Sequence, residues 1–110
     1  MSIAYFVHYE GRLEDLEKFS DYYRNVHAEI VRRFPNIKSL EIFTPAEWTD
    51  PLSAPRAQLR FLAKLEFDSV EQLNAAMNSA ARVEARKDVA GFAFFSGSVL
   101  HQAMVAQKVF

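Results

Sequence analysis

Cysteine is absent from this chain, and its absence removes several kinds of chemistry at once. Without thiols there is no disulfide, no CxxC redox pair and no thiolate metal site, which excludes a metallochaperone. Glycine is scarce as well: only Gly11, Gly91 and Gly97 occur, and they form no glycine-rich loop of the kind that holds phosphate groups. The sequence therefore lacks the motifs of a thiol enzyme and of a nucleotide-phosphate site.

A cluster of metal ligands is also lacking. The three histidines, His8, His27 and His101, are dispersed, and none lies within four positions of another. Metal sites in proteins are usually built from closely spaced His, Cys and carboxylate ligands. We therefore expect no metal ion, and we expect no organic cofactor.

Neither sign of charge dominates: 13 Lys and Arg residues face 14 Asp and Glu residues, for a net charge of −1. No basic stripe exists that would bind phosphates, so nucleic acid and an anionic membrane are poor partners. No apolar run approaches the ~18 residues of a membrane span. Met1 and Ser2 lead into a strand-like segment without the basic region of a signal peptide. We therefore expect a cytoplasmic protein.

The length and the hydrophobic content indicate one folded domain over residues 1–110. Half of the residues are hydrophobic and ten are Phe, which is ample material for a core. Hydrophobic periodicity then predicts alternating strands and helices. In chain order these are a strand over Ile3–Tyr9 ending at Gly11, a helix over Leu13–Phe34, a strand over Ile37–Thr44, a loop over Pro45–Gln58, a strand over Leu59–Phe67, a helical region from Asp68-Ser69 to about Val89, and a strand within Phe94–Ala106.

The long first helix has the clearest pattern. Its apolar positions recur three and four residues apart, and Pro35 stops it. The predicted buried face consists of Leu16, Phe19, Ser20, Tyr23, Val26, His27, Ile30, Val31 and Phe34.

The predicted element order is βαββαβ, which is typical of an α+β ferredoxin-like sandwich. Two helices cover only one face of a four-stranded sheet, and the first and last strands are apolar on both faces. The uncovered face needs a partner, and a second copy of the chain is the simplest one. We therefore expect a homodimer in the form of a dimeric α+β barrel.

Several short motifs resemble the EthD-like branch of the dimeric α/β-barrel superfamily. They are Tyr23-x-x-x-His27, the following Pro35, Leu65-Glu66-Phe67-Asp68-Ser69 at the start of the second helical region, and Asp88 followed by Phe92. The resemblance implies a homodimer with a pocket between sheet and first helix, in bacterial catabolism or secondary metabolism. Relatives include lactone isomerases, polyketide cyclases and cofactor-free monooxygenases, and the family is often classed with oxidoreductases. Where many members carry an acid and a glycine, this chain has Arg60-Phe61.

His27 and Tyr23 are the predicted catalytic residues. Imidazole titrates near neutrality and can act as a general acid or base, and Tyr23, one helical turn earlier, can orient it or bind an oxyanion. The alternative is a core histidine satisfied by a backbone carbonyl beside a core tyrosine. The other two histidines, His8 and His101, are expected at solvent-exposed or subunit-interface positions, although His8 also has a place in the pocket hypothesis.

The abundance of Phe predicts an aromatic-lined pocket for a small hydrophobic ligand. The residues predicted to contact substrate are Phe6, His8, Phe19, Trp48 and Phe61. Two functions stay open. One is a cofactor-independent oxidoreductase, monooxygenase, isomerase or cyclase acting on an oxygenated hydrophobic compound. The other is a non-catalytic small-molecule-binding or stress-associated homodimer.

Overall fold

The structure is a computed structural model that describes residues 2–110, and it has the predicted order of elements. The four strands form one antiparallel sheet in the order β2-β3-β1-β4, so the ferredoxin-like α+β class is confirmed. The elements are β1 (Ser2–Leu13), α1 (Leu16–Tyr22), a π-helical turn (Tyr23–His27), α2 (Ala28–Val31), β2 (Ser39–Phe43), β3 (Phe61–Phe67), α3 (Val70–Met77), α4 (Ala80–Ala90) and β4 (Phe95–Ala106).

Strand β1 continues through Gly11, where the sequence predicted its end. Gly11 pairs with Gly97 of β4, and the two residues have φ angles of 152° and 148°. A Cβ atom on either glycine would lie 2.3 Å from a carbonyl oxygen of the opposite strand. Glycine at this position therefore permits two backbones to approach closely, and β1 extends to Leu13.

The first helical segment comprises α1, the π turn and α2. It begins at Leu16 rather than Leu13, because the Asp15 carboxylate accepts the Lys18 backbone N–H at 3.0 Å and caps the helix. In the π turn the Ala28 N–H donates to the carbonyl of Tyr23, five residues back. This wider turn accompanies one error in the predicted face: Val26 is 43% exposed, whereas Tyr23 and His27 are buried.

The second helical region breaks between α3 and α4. Ser69, where the predicted helical region begins, caps α3 by accepting the Gln72 N–H at 3.2 Å. Ser79 caps α4 in the same way through the Arg82 N–H. Neither these helices nor those of the first segment are long and apolar enough to cross a membrane, within the part of the chain that the structure covers.

The loop between β2 and β3 is held by its own contacts. The Arg56 guanidinium lies 4.2 Å from the centre of the Trp48 ring and donates to the Trp48 carbonyl at 3.2 Å. The Asp50 carboxylate accepts the backbone N–H groups of Leu52 and Ala54. The loop is thus pinned to itself, with the indole of Trp48 half exposed.

All helices pack on one face of the sheet. Tyr9 lies at the centre of this core, with Phe19 and Phe61 edge-to-face against its ring at 5.5 and 5.4 Å. The opposite face carries no helix, and strand pairing places one row across all four strands there. That row is Phe43, Leu62, His8 and Leu100.

Replacing Gly11 with Ala should destabilise the protein by roughly 2 kcal/mol or more, because the new Cβ collides with backbone. Gly91→Ala is the matched control: its Cβ would meet its nearest neighbour at 3.8 Å, and its φ of −104° suits alanine. Urea unfolding of the two variants measures the difference. Equal losses at both positions would contradict the close-approach explanation.

Candidate active site

A small cavity lies between the helical layer and the sheet. Its volume is about 40 Å³, and most of its lining is hydrocarbon interrupted by hydroxyl, imidazole and guanidinium groups. The lining residues are Tyr5, Val7, Tyr9, Tyr23, His27, Val31, Phe34, Leu65, Met77, Arg82, Ala85, Arg86, Val89 and His101. The cavity therefore combines an apolar body with several convergent polar groups, the usual character of a small-molecule site.

Both predicted catalytic residues lie on this cavity, but a third residue orients the imidazole. His27 Nδ1 lies 2.8 Å from Asp88 Oδ2, and the Tyr22 hydroxyl donates to Asp88 Oδ1 at 2.5 Å. Tyr23 stacks at a tilt beside His27, with ring centres 4.8 Å apart. The orienting role predicted for Tyr23 therefore belongs to Asp88, which approaches from α4, 61 positions along the chain.

The contact with Asp88 fixes the tautomer of His27. A carboxylate only accepts hydrogen bonds, so Nδ1 carries the proton and Nε2 has a free lone pair. No buried side-chain nitrogen or oxygen lacks a partner within residues 2–110. Nδ1 makes the one hydrogen bond of this ring, so Nε2 is not fully enclosed by the protein. His27 lines the cavity.

Burial keeps His27 neutral. The desolvation of its imidazole lowers the pKa below the usual value for histidine, and the negative charge of Asp88 opposes that shift without reversing it. Phe92 packs edge-to-face against the imidazole ring at 4.9 Å, and Tyr23 contacts the same ring. The site thus holds an oriented, unprotonated base at neutral pH.

Two buried tyrosines supply hydroxyl groups beside this base. Tyr23 and Tyr9 have rings 6.2 Å apart in an edge-to-face arrangement. Desolvation raises the pKa of both phenols well above the ordinary value for tyrosine. Both hydroxyls therefore stay protonated. The Tyr9 hydroxyl donates to that of Tyr23, which can donate its own proton to a ligand oxygen.

A second polar cluster lies on the same cavity. The Tyr5 hydroxyl is 2.6 Å from His101 Nδ1 and accepts a hydrogen bond from the Arg82 guanidinium at 3.4 Å. Burial, followed by the nearby charges of Arg86 and Arg82, lowers the pKa of His101. His101 was expected at an interface, and here it lines the cavity of its own chain.

None of the five residues predicted to contact substrate lines this cavity. Phe6 and His8 alternate with the cavity-lining residues of β1, so they point to the helix-free face of the sheet. The buried rings of Phe19 and Phe61 pack in the core around Tyr9. Trp48 packs against Arg56 within its own loop and does not line the cavity.

The sequence contained signals for some of the residues that were missed. Tyr5 and Tyr9 lie four positions apart on the same apolar side of β1. Arg82 and Arg86 are one helical turn apart. Their position on one cavity with His27 depends on the packing of α4, which the pattern did not define. Within the covered part of the chain, no group of three His, Cys, Asp or Glu residues is placed to hold a metal ion.

Comparisons with known proteins agree with this fold. The family model described as the EthD domain matches residues 13–96. An EthD family protein from Bacillus halodurans superposes with a TM-score of 0.74 at 18% identity, covering 97% of this chain and 100% of its own. No curated protein matches the sequence.

Two further solved structures share the architecture. A dimeric ferredoxin-like protein of unknown function from Thermobifida fusca has a TM-score of 0.65 at 9% identity, covering 96% of this chain and 92% of its own. SnoaB, a cofactor-independent oxygenase from Streptomyces nogalater, has a TM-score of 0.64 at 8% identity, covering 98% and 95%. At these identities the likeness is one of fold.

Asp88→Asn should lower the pKa of His27 further, because it removes the charge that favours imidazolium and keeps an oxygen that accepts Nδ1–H. Histidine NMR titrations of wild type and variant measure the shift. Asp68→Asn, which removes an exposed carboxylate paired with Lys38, should leave it unchanged.

The lowered pKa of His27 in the folded wild-type protein makes its stability depend on pH. A histidine whose pKa is lower in the folded state contributes full stability above its unfolded pKa of about 6.5, and loses it as the pH falls below that value. For the Asp88→Asn variant, an upward shift of the His27 pKa would contradict the assigned tautomer and charge.

Proposed function

Because the chain belongs to the EthD domain family, we propose that it is a small-molecule enzyme that uses neither a metal ion nor an organic cofactor. Its substrate is a small hydrophobic or aromatic oxygenated compound, and His27 is the general acid and base. One observation carries this proposal: an imidazole oriented by a carboxylate lines a cavity, and its second nitrogen has no hydrogen-bond partner among the described residues.

The proposed first step is removal of a proton from the substrate by His27 Nε2. The Asp88 carboxylate holds Nδ1–H at 2.8 Å, so the ring cannot turn away from the cavity. As Nε2 takes the proton, the imidazole becomes positively charged, and Asp88 stabilises that charge. A C–H or O–H group beside a carbonyl is the type of acid that such a base deprotonates.

Tyr23 and Tyr9 complete the proposed chemistry. Deprotonation next to a carbonyl moves negative charge to oxygen, and a hydroxyl donor close to that oxygen lowers the barrier. The raised pKa of each phenol ensures that it donates its proton in a hydrogen bond without losing it. Tyr23 therefore acts on the substrate rather than on the imidazole.

The reaction class follows from the fate of the enolate. Protonation of the enolate at another carbon isomerises the substrate, and attack of its carbon on an internal carbonyl closes a ring. Reaction with dioxygen inserts one oxygen atom into the substrate, whose electrons reduce the other oxygen atom to water, as in a monooxygenase. The likeness to SnoaB favours an oxidoreductase on fold alone, and a fold by itself hosts many activities. All three reactions begin with the same proton transfer, which is the testable part.

Substrate entry requires side chains to move. A cavity of about 40 Å³ holds a few water molecules, whereas a benzene-sized ligand needs roughly 150 Å³. Met77 is flexible, and the side chain of Arg86 is exposed, so these two lining residues can move at low cost.

We also propose that the enzyme works as a homodimer in the cytoplasm. The helix-free face of the sheet carries Phe43 and Leu100, which are 42% and 49% exposed, in one row with Leu62 and His8. An apolar face of this kind is suited to burial against a second copy. The dimeric neighbour from Thermobifida fusca, which shares the fold, supports this arrangement.

His27→Ala should slow proton abstraction by ~10²-fold or more while the protein stays folded. Acetophenone and its ring-substituted derivatives serve as probes, because NMR in D₂O follows exchange of the protons beside their carbonyl. Tyr23→Phe keeps the ring packing and should slow exchange less, since it removes one hydroxyl.

The alternative, a non-catalytic binding protein, predicts a different pattern. In that case His27→Ala lowers the melting temperature and the wild-type protein catalyses no exchange above solvent. That pair of results would overturn the enzymatic proposal and leave the fold assignment intact.

Sedimentation equilibrium at low micromolar concentration should give about twice the 12.6 kDa of one chain. Leu100→Lys places a charge on the helix-free face and should shift the mass towards the monomer. Val83→Lys is the control, since Val83 is equally exposed but lies on α4. A monomeric wild-type protein would contradict the dimer.

A further inference from the structure

Two arginines on α4 give the cavity a positively charged region that the proposed proton transfer does not use. Arg82 and Arg86 both line the cavity, one helical turn apart. Within residues 2–110 neither guanidinium forms a salt bridge with a carboxylate. The lining itself contains no Asp or Glu. The positive charge facing this cavity is therefore not neutralised by the residues that surround it.

The neighbouring strands add donors to the two guanidiniums. Arg82 donates to the Tyr5 hydroxyl at 3.4 Å, so the Tyr5 proton is directed to His101 Nδ1 at 2.6 Å. Nδ1 of His101 then accepts, and its Nε2 carries a proton. Burial, followed by the charges of Arg86 and Arg82, lowers the pKa of His101, which keeps this ring neutral. The region thus presents cations and neutral donors.

Arg82 lies away from the carboxylate that orients the proposed base. Arg82 and Asp88 are six residues apart on α4, which corresponds to about 9 Å along the helix axis. Tyr5 and Tyr9 are four residues apart on β1, or about 13 Å. Hydrocarbon side chains, including Val7 and Val89, line the cavity as well. A ligand that fills it meets both the proposed base and the positive charge of the two arginines.

We propose that the substrate is an organic acid whose carboxylate is bound by Arg82 and Arg86, with its apolar body reaching towards His27. A guanidinium presents a planar fork of donors that matches the two oxygens of a carboxylate. Met77 and Ala85 provide apolar contacts along the way. This inference names the substrate class of the proposed enzyme and so rests on that function.

The solvent-exposed side of the cavity has room for such an acid. A hollow of about 350 Å³ next to β4 shares Arg86 and Val89 with the cavity. The Arg86 side chain, which is exposed, therefore lies at the boundary between the two spaces. An acid that enters from this hollow meets the guanidinium of Arg86 first, and displacement of that side chain joins the two volumes.

The test compares acids with their neutral amides. Phenylacetate, benzoate and salicylate, each paired with its amide, are titrated into the wild-type protein by isothermal calorimetry. At least one acid should bind about tenfold tighter than its amide, and added NaCl should reduce that preference through screening. If no acid exceeds its amide at concentrations up to about 10 mM, the proposal is wrong.

Variants assign the preference to the two arginines. The double variant Arg82→Gln, Arg86→Gln should lose the preference for the acid and keep the affinity for the amide. Lys87→Gln changes the net charge by one on the same helix, away from the lining, and should keep the preference. Single Arg→Gln variants, checked by circular dichroism, replace the double variant if it does not fold. Retention of the preference in all Arg variants would overturn the proposal.

The outcome is separable from the proposed function. If acid binding depends on the arginines but no probe exchanges protons, the enzymatic proposal fails and the acid site stands. If exchange depends on His27 without any preference for acids, only the acid site fails.

Discussion

The contact between His27 and Asp88 joins the two halves of the helical layer and determines the character of the cavity. A buried imidazole needs hydrogen-bond partners, and the Asp88 carboxylate supplies one from α4 at 2.8 Å. The other oxygen of Asp88 accepts the hydroxyl of Tyr22, so both carboxylate oxygens are bound to the first helical segment. The same contact sets the tautomer of His27 and leaves its Nε2 with the free lone pair.

Much of the fold could be predicted from the sequence because its elements have strong local patterns. The alternation in β3 and the serine cap of α3 depend on neighbours a few positions away. The extension of β1 could not be read in this way, because glycine at position 11 is tolerated only through its pairing with Gly97. Val26 was assigned to the buried face on a regular α-helical period, and the π turn changes that period locally.

The candidate site shows the same division between local and distant information. His27 and Tyr23 stand out within one helix, and both line the cavity. Asp88 entered the sequence argument only through the family resemblance, since its distance from His27 depends on how α4 packs. The cavity-facing role of His101 depended equally on the sheet, where it comes opposite Val7 of the central strand. Long-range packing decides which polar groups meet, and periodicity alone does not contain it.

Strand β1 serves two surfaces at once. Tyr5 and Tyr9 point into the cavity, while Phe6 and His8 between them point to the helix-free face. A side-chain replacement on this strand therefore acts on one surface only, whereas a displacement of its backbone acts on both. Slippage of β1 by one residue would exchange the two sets entirely. The ligand cavity and the helix-free face are thus mechanically coupled through a single pleated backbone, although no side chain is common to both.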